Sequence, residues 1–135
     1  MQLSVIILNY NVRYFLELCV LSVQKAIQNL DAEIIVIDNN SNSETKHELF
    51  KCKELFPTLN IQILQEPKPG KSFALIKGFD AAKNDILIIC DDDNYLHQDY
   101  LKNSLAILRE HKNVGVIGSF GILKNNENLP KWFDK

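Results

Sequence analysis

A chain of 135 residues suits one domain with one core, and its 46% hydrophobic and 24% charged content exclude a disordered segment, because the apolar surface suffices to offset chain entropy. Fifteen basic against seventeen acidic residues leave a net charge of −2 with no basic stripe, which argues against a nucleic-acid partner. Cys19, Cys52 and Cys90 stand far apart without a CxxC pair, so they read as reduced core thiols of a cytoplasmic protein rather than a zinc or dithiol site.

The chain opens on an apolar run at residues 5–8, expected to be a strand buried on both faces. No basic stretch precedes it, it is too short for a signal sequence, and no run in the chain approaches the roughly 18 apolar residues of a membrane span. Asn9-Tyr10-Asn11 follow. Leu16, Val20, Val23, Ile27 and Leu30 then recur at three and four residues, the apolar face of a long helix. Asn11 is a possible cap for it, and Tyr10 reads either as a residue at the core edge or as a ring that stacks on a flat base.

The second strand is expected at residues 34–37 and runs into Asp38-Asn39-Asn40-Ser41. By itself that stretch is a turn leading to a helix cap; in a ligand site, the Asp38 carboxylate can accept a hydrogen bond from a ring N–H such as that of uracil. A surface helix follows over residues 44–56, then a strand at 61–64 and the loop Glu66-Pro67-Lys68-Pro69-Gly70-Lys71-Ser72. The end of this loop has a Walker-like look, but position 65 is Gln65 where the phosphate loop needs glycine, and a P-loop is rejected. Lys71 is either a solvated lysine or an ammonium at a strand-to-helix mouth, where helix N–H groups favour anions. A helix is expected over 72–82, a strand over 86–89, a helix carrying Leu101, Leu105 and Leu108, and a fifth strand at Val114-Gly115-Val116-Ile117.

Strand and helix alternate, which implies right-handed crossovers and a mainly parallel central sheet between helical layers, an α/β three-layer sandwich of Rossmann-like form. Ligands bind such sheets at the carboxyl ends of the strands. The fourth strand ends there in Asp91-Asp92-Asp93. On an extended backbone residues two apart point the same way, so Asp91 and Asp93 can converge on one ion. Two carboxylates about 6 Å apart at an effective dielectric near 20 repel by roughly 3 kcal/mol, and a cation compensates. Hard oxygen ligands in small number suit Mg²⁺ or Mn²⁺. The competing reading is a helix cap near Gln98, which needs one carboxylate rather than three. His47, His97 and His111 have no ligand spacing, and no GxGxxG occurs.

Taken together, these residues resemble the family 2 glycosyltransferases. The resemblance rests on Ser4-Val5-Ile6-Ile7-Leu8-Asn9-Tyr10-Asn11 with Phe15-Leu16 and Cys19-Val20, on Ile35-Val36-Ile37-Asp38-Asn39-Asn40-Ser41, and on the DXD-like Ile88-Ile89-Cys90-Asp91-Asp92-Asp93. It covers about residues 3 to 118. It implies a GT-A fold, with residues 1–135 a single nucleotide-sugar-binding domain, the N-terminal piece of a longer transferase of the kind that builds cell-envelope polysaccharide. It implies a nucleoside-diphosphate-sugar donor, UDP-sugar favoured, and a saccharide or lipid-linked acceptor attacked with inversion. Nucleotide-sugar contacts fall to Asn9, Tyr10, Asn11, Asp38, Lys71, Asp91 and Asp92, and metal ligation to Asp91 and Asp93, with Mg²⁺ or Mn²⁺ as cofactor.

Two departures qualify the resemblance. The family usually carries Asn where Ile76 stands and often Arg at Leu75, so donor affinity or base choice differs. Its catalytic base and acceptor site lie beyond the DXD motif, and this sequence stops at Lys135, so the base is expected outside it. The alternative is a truncated or non-catalytic sugar-nucleotide-binding module. Trp132 and Phe133 are expected either to contact an absent half or to fold back on the core. A phosphoacceptor receiver would gather its acids at the first and third strands, and a nucleotidyltransferase would have glycine after the first; neither pattern is present.

Overall fold

The computed structural model describes residues 2–12 and 14–121. The chain divides into two compact units, residues 1–103 and 104–135. In the first, β1 (Gln2–Asn9), β2 (Asp31–Asp38), β3 (Ile61–Gln65) and β4 (Leu87–Asp91) form one sheet in the order β3-β2-β1-β4. Every pairing is parallel, and the register aligns Asn9 with Asp38, Asp38 with Gln65 and Leu8 with Asp91. The polar ends of all four strands therefore come out at one rim. The order runs leftward from β1 to β3 and then jumps to β4 on the other side, and a crevice opens at such a reversal.

The helices are α1 (Leu16–Ile27), α2 (Ser43–Leu55), α3 (Lys71–Ala81) and α4 (Tyr100–Glu110). α1 buries Leu16, Cys19, Val20, Val23, Ala26 and Ile27, four of the five residues its spacing predicts, with Leu30 beyond its end, and Cys19 Sγ lies 3.7 Å from Cys90 Sγ of β4. Cys90 pairs with Ile7, so α1 covers the face to which Val5, Ile7 and Ile88 point. α2 packs on α1 and β3. α3 covers the opposite face, where Ile6, Leu8, Ile35, Ile37 and Ala74 form a buried cluster. Gly78 allows that approach: a Cβ there would stand 2.7 Å from Ile6 Cγ2. Each buried Ile or Leu contributes about 1.5–3 kcal/mol relative to exposure. This is the expected α/β sandwich.

Two local expectations are revised. α1 begins at Leu16 with Phe15 in the cap position and no side-chain cap, so Asn11 does not cap it. Asn42 caps α2 instead, its Oδ1 accepting from the Thr45 N–H at 2.9 Å. The fifth expected strand is absent: residues 114–121 have no regular secondary structure, and Val116 is 89% exposed. Only two apolar residues, Val116 and Ile117, stand there between Gly115 and Gly118, and among the described residues no neighbour pairs with their backbone, which a strand requires. Trp132 and Phe133 lie outside the described residues. No helix among the described residues is long and apolar enough to cross a membrane.

Candidate functional site

At the rim between β1 and β4 a cavity of about 510 Å³ is lined by Leu8, Asn9, Tyr10, Asn39, Pro69, Gly70, Lys71, Ala74, Asp91, Asp92 and Asp93. Six of the eight residues expected from sequence meet there: Asn9, Tyr10, Lys71 and the three aspartates. Asn11 and Asp38 lie outside the lining.

Asp91 is the last residue of β4, and the chain then turns, the Asn94 N–H donating to the Asp91 carbonyl at 3.0 Å. The extended alternation expected to converge Asp91 and Asp93 therefore ends at Asp91; the turn is what brings all three aspartates to the cavity. None of them caps a helix, since α4 begins only at Tyr100. Asp91 pairs in register with Leu8 and shares its face, the side of α3. There Lys71 Nζ donates to both of its carboxylate oxygens, at 2.7 and 2.9 Å. Lys71 is thus neither buried nor merely solvated.

Asp92 is 7% exposed and accepts from Asn9 Nδ2 at 2.6 Å. Burial, then the charge of Asp93, push its carboxyl up to about 6, against the hydrogen bonds from Asn9 and the Tyr10 backbone that favour the carboxylate. Asp93 is exposed, with no hydrogen bond or ion pair among the described residues. Crowded carboxylates with one exposed and unpaired member suit a hard divalent cation that completes its shell with other oxygens. Among the described residues no three or more His, Cys, Asp or Glu side chains are grouped to hold a metal ion.

The ends of β1 and β2 are tied together by backbone and side-chain hydrogen bonds. Asn9 Nδ2 also donates to the Val12 carbonyl at 2.7 Å, the Asn39 N–H donates to the Asn9 carbonyl at 2.9 Å, and the Asn11 N–H donates to Ser41 Oγ at 3.0 Å. Asn11 Oδ1 accepts from the Asn42 N–H at 2.9 Å. Asn11 and Asn40 hold positive φ, 55° and 62°, a conformation asparagine tolerates. Asp38 is fully buried; its Oδ1 accepts from the Ser41 N–H at 3.0 Å, and its Oδ2 is buried without a partner. Tyr10, by contrast, is 60% exposed at the cavity rim, which removes the core-edge reading.

Sequence reasoning missed Asn39. It lines the cavity and clamps the loop after β3: its Nδ2 donates to the Glu66 and Lys68 carbonyls at 3.2 and 2.7 Å, and its Oδ1 accepts from the Gly70 N–H at 2.9 Å. Gly70, at φ 129°, then turns the chain into α3 and places Lys71 in its first turn. Position after a strand-ending aspartate was the available signal. Cys19, Cys52 and Cys90 are free and buried. Burial pushes the Cys52 thiol up to about 11, and the hydrogen bond with Cys90, then burial, raises Cys19 further.

The model of the family described as glycosyl transferase family 2 matches residues 4–134. A dolichol-phosphate mannosyltransferase of Pyrococcus furiosus is 35% identical over 94 residues, 69% of this chain and 26% of that protein. A GalNAc(5)-diNAcBac-PP-undecaprenol beta-1,3-glucosyltransferase of Campylobacter jejuni is 31% identical over 137 residues, 98% of this chain and 42% of that one. The chain thus spans less than half the length of these relatives. Among solved structures, the mannosyltransferase PcManGT of Pyrobaculum calidifontis, in complex with GDP-Man and Mn²⁺, superimposes with a TM-score of 0.70 at 24% identity, over 78% of this chain and 32% of that one. That likeness is one of fold.

Proposed function

The chain belongs to glycosyl transferase family 2, and on that premise we propose that residues 1–135 are the nucleotide-sugar-binding domain of a transferase that passes a sugar from a UDP-sugar to a saccharide or lipid-linked acceptor. The observation that carries the reading is the cavity at the sheet's reversal point, which gathers an ammonium and three carboxylates beside an exposed aromatic ring. Tyr10 at the rim offers its face to the base. Asp38 Oδ2, the buried oxygen without a partner, is sealed behind the cavity lining and would accept a ring N–H of the base once the turn closed by Ser41 opens. Lys71 and the first N–H groups of α3 bind diphosphate oxygens. Asn9 holds Asp92 in place, and Asn11 fixes the turn that presents Tyr10.

Asp91 and Asp93 would hold Mg²⁺ or Mn²⁺, which when bound offsets the negative charge that builds on the departing diphosphate. The Mn²⁺ in the PcManGT complex supports a divalent ion, and its GDP-Man makes GDP the informative competitor for the base assignment. The undecaprenol-linked substrate in the name of the Campylobacter relative supports a lipid-linked acceptor, which would bring the domain to the cytoplasmic face of a membrane. Inversion needs a base that takes the acceptor's proton. Within the cavity Asp91 is paired to Lys71 and Asp92 is held by Asn9, which leaves neither of them free to serve as that base.

Calorimetry tests the reading. UDP is expected to bind with Mn²⁺ or Mg²⁺ present, more tightly than GDP, and to lose affinity with EDTA. Asp93→Ala should weaken binding by at least tenfold, since a metal ligand offsets several kcal/mol of local charge, whereas Asp99→Ala, adjoining α4, should count for tenths. Equal binding with EDTA would remove the metal, and tighter GDP binding would remove the base assignment.

A further inference from the structure

Lys71 stands in an unusual position for a phosphate-binding lysine, because its ammonium already sits on both oxygens of Asp91. Its backbone is fixed. Asn39 ties the 66–70 loop with three hydrogen bonds, and Gly70 turns directly into α3. Its side chain is not fixed: it is 61% exposed, on a stem of four carbons whose head can pivot without moving the helix. Asp91 is 41% exposed at the mouth of the same cavity. The ion pair is therefore solvent-facing and weak, and cheap to exchange.

We propose that Lys71 is an internal counter-ion that occupies Asp91 when the site is empty and transfers to the diphosphate when nucleotide enters, so that nucleotide and divalent cation bind as a coupled pair. The inference rests on the reading of Asp91 as a metal ligand and of the cavity as a diphosphate site. An ammonium held on both oxygens makes the carboxylate a poorer ligand for a divalent ion, and the two cations repel each other at that distance. A metal arriving alone has to displace Lys71 with no new anion to receive it. A diphosphate supplies that anion, draws the ammonium off Asp91 and exposes both carboxylate oxygens. Lys71 thereby opposes metal binding in one state and favours nucleotide binding in the other. Linkage makes this reciprocal: the factor by which UDP raises Mn²⁺ affinity equals the factor by which Mn²⁺ raises UDP affinity.

The opposite signs make the proposal testable without measuring transfer. Free Mn²⁺ is followed by electron paramagnetic resonance during titration of the 135-residue chain, with and without UDP, for the unsubstituted protein, Lys71→Met and Lys71→Arg. Lys68→Met is the control for charge alone, since Lys68 lies in the same loop with its ammonium 3.7 Å over the Phe73 ring rather than on Asp91. Lys71→Met is expected to bind Mn²⁺ alone about fivefold more tightly, and the enhancement by UDP should shrink by about as much or more. Lys71→Arg should keep the coupling, and Lys68→Met should leave Mn²⁺ affinity within about twofold. Mn²⁺ affinity unchanged or weakened in Lys71→Met, or raised equally in Lys68→Met, overturns the exchange while leaving the site reading intact. Failure of the unsubstituted chain to bind UDP with Mn²⁺ overturns the site reading, and the exchange with it.

Discussion

Asp38 and Asn39 are neighbours with opposite fates. The carboxylate is sealed at 0% exposure with one oxygen unpartnered, while the amide at 7% exposure reaches the cavity wall and holds the loop that carries Lys71. Adjacent residues leaving a strand point to different sides, so which one meets the cavity is set by the turn after β2. Asp92 makes a second contrast at this scale, because its chemistry depends on its depth. Its folded-state carboxyl is raised to about 6 from an ordinary value of 3.8, so the folded protein holds a proton that the unfolded chain has released. Between those values lower pH favours the folded state; the cost of burying the charge is fully present above about pH 6 and is relieved as pH falls toward 4. In EDTA, thermal stability should therefore gain about 1–3 kcal/mol from this group between pH 7 and pH 4.5. Melts of the protein and of Asp92→Asn isolate it by difference, since other carboxylates titrate in both. A difference that stays flat across that window would contradict the burial of Asp92 as a carboxylate.

Elements in this fold are set by short-range patterns, and their contacts by single residues. The stripe on α1 and the apolar runs of β1 and β2 form the core to within about three residues of what periodicity predicts. Gly78 is what periodicity does not explain, since in the interior of a helix glycine costs about 1 kcal/mol relative to alanine. Its reason is across the interface. Ile6 is fully buried, with a branched side chain that is stiff at χ1, and the 2.7 Å approach leaves no room for a methyl group. Gly78→Ala should therefore destabilise despite its better helix propensity, by a net 1–2 kcal/mol or so, as overpacking outweighs the gain. Urea denaturation measures it, and a more stable Gly78→Ala protein would show that α3 can ride away from the sheet. Since α3 carries Lys71, such a shift should also reduce affinity for UDP.

For the molecule as a whole, the proposed site offers groups suited to a leaving diphosphate. Two of its three aspartates are engaged, Asp91 by Lys71 and Asp92 by Asn9. The 135-residue chain is accordingly expected to bind UDP-sugar but to transfer negligibly, with at most slow donor hydrolysis. Holding the acceptor in line is worth about 7–11 kcal/mol, and a general base another 10²- to 10⁴-fold or so. Product analysis with a panel of saccharide and lipid-linked acceptors decides this. Efficient transfer would place the base within these residues, with Asp93 and Asp99 the first to substitute.

The sequence by itself determined the α/β class, the four parallel strands, and the rim to which polar residues would come, because side-chain periodicity and strand-ending residues are local properties of the chain. It also carried the family resemblance, through three stretches that read the same before and after folding. Tertiary structure alone decided the rest. The loss of the strand at 114–117 turned on whether a neighbour pairs with its backbone, which no local pattern encodes. The turn at 91–94, the pairing of Lys71 with Asp91 across twenty residues, and the loop clamp of Asn39 across about thirty depend on which strand ends stand side by side. Charge and hydrogen bonding act over a few ångströms of space, and only the sheet order β3-β2-β1-β4 brings those residues within that range.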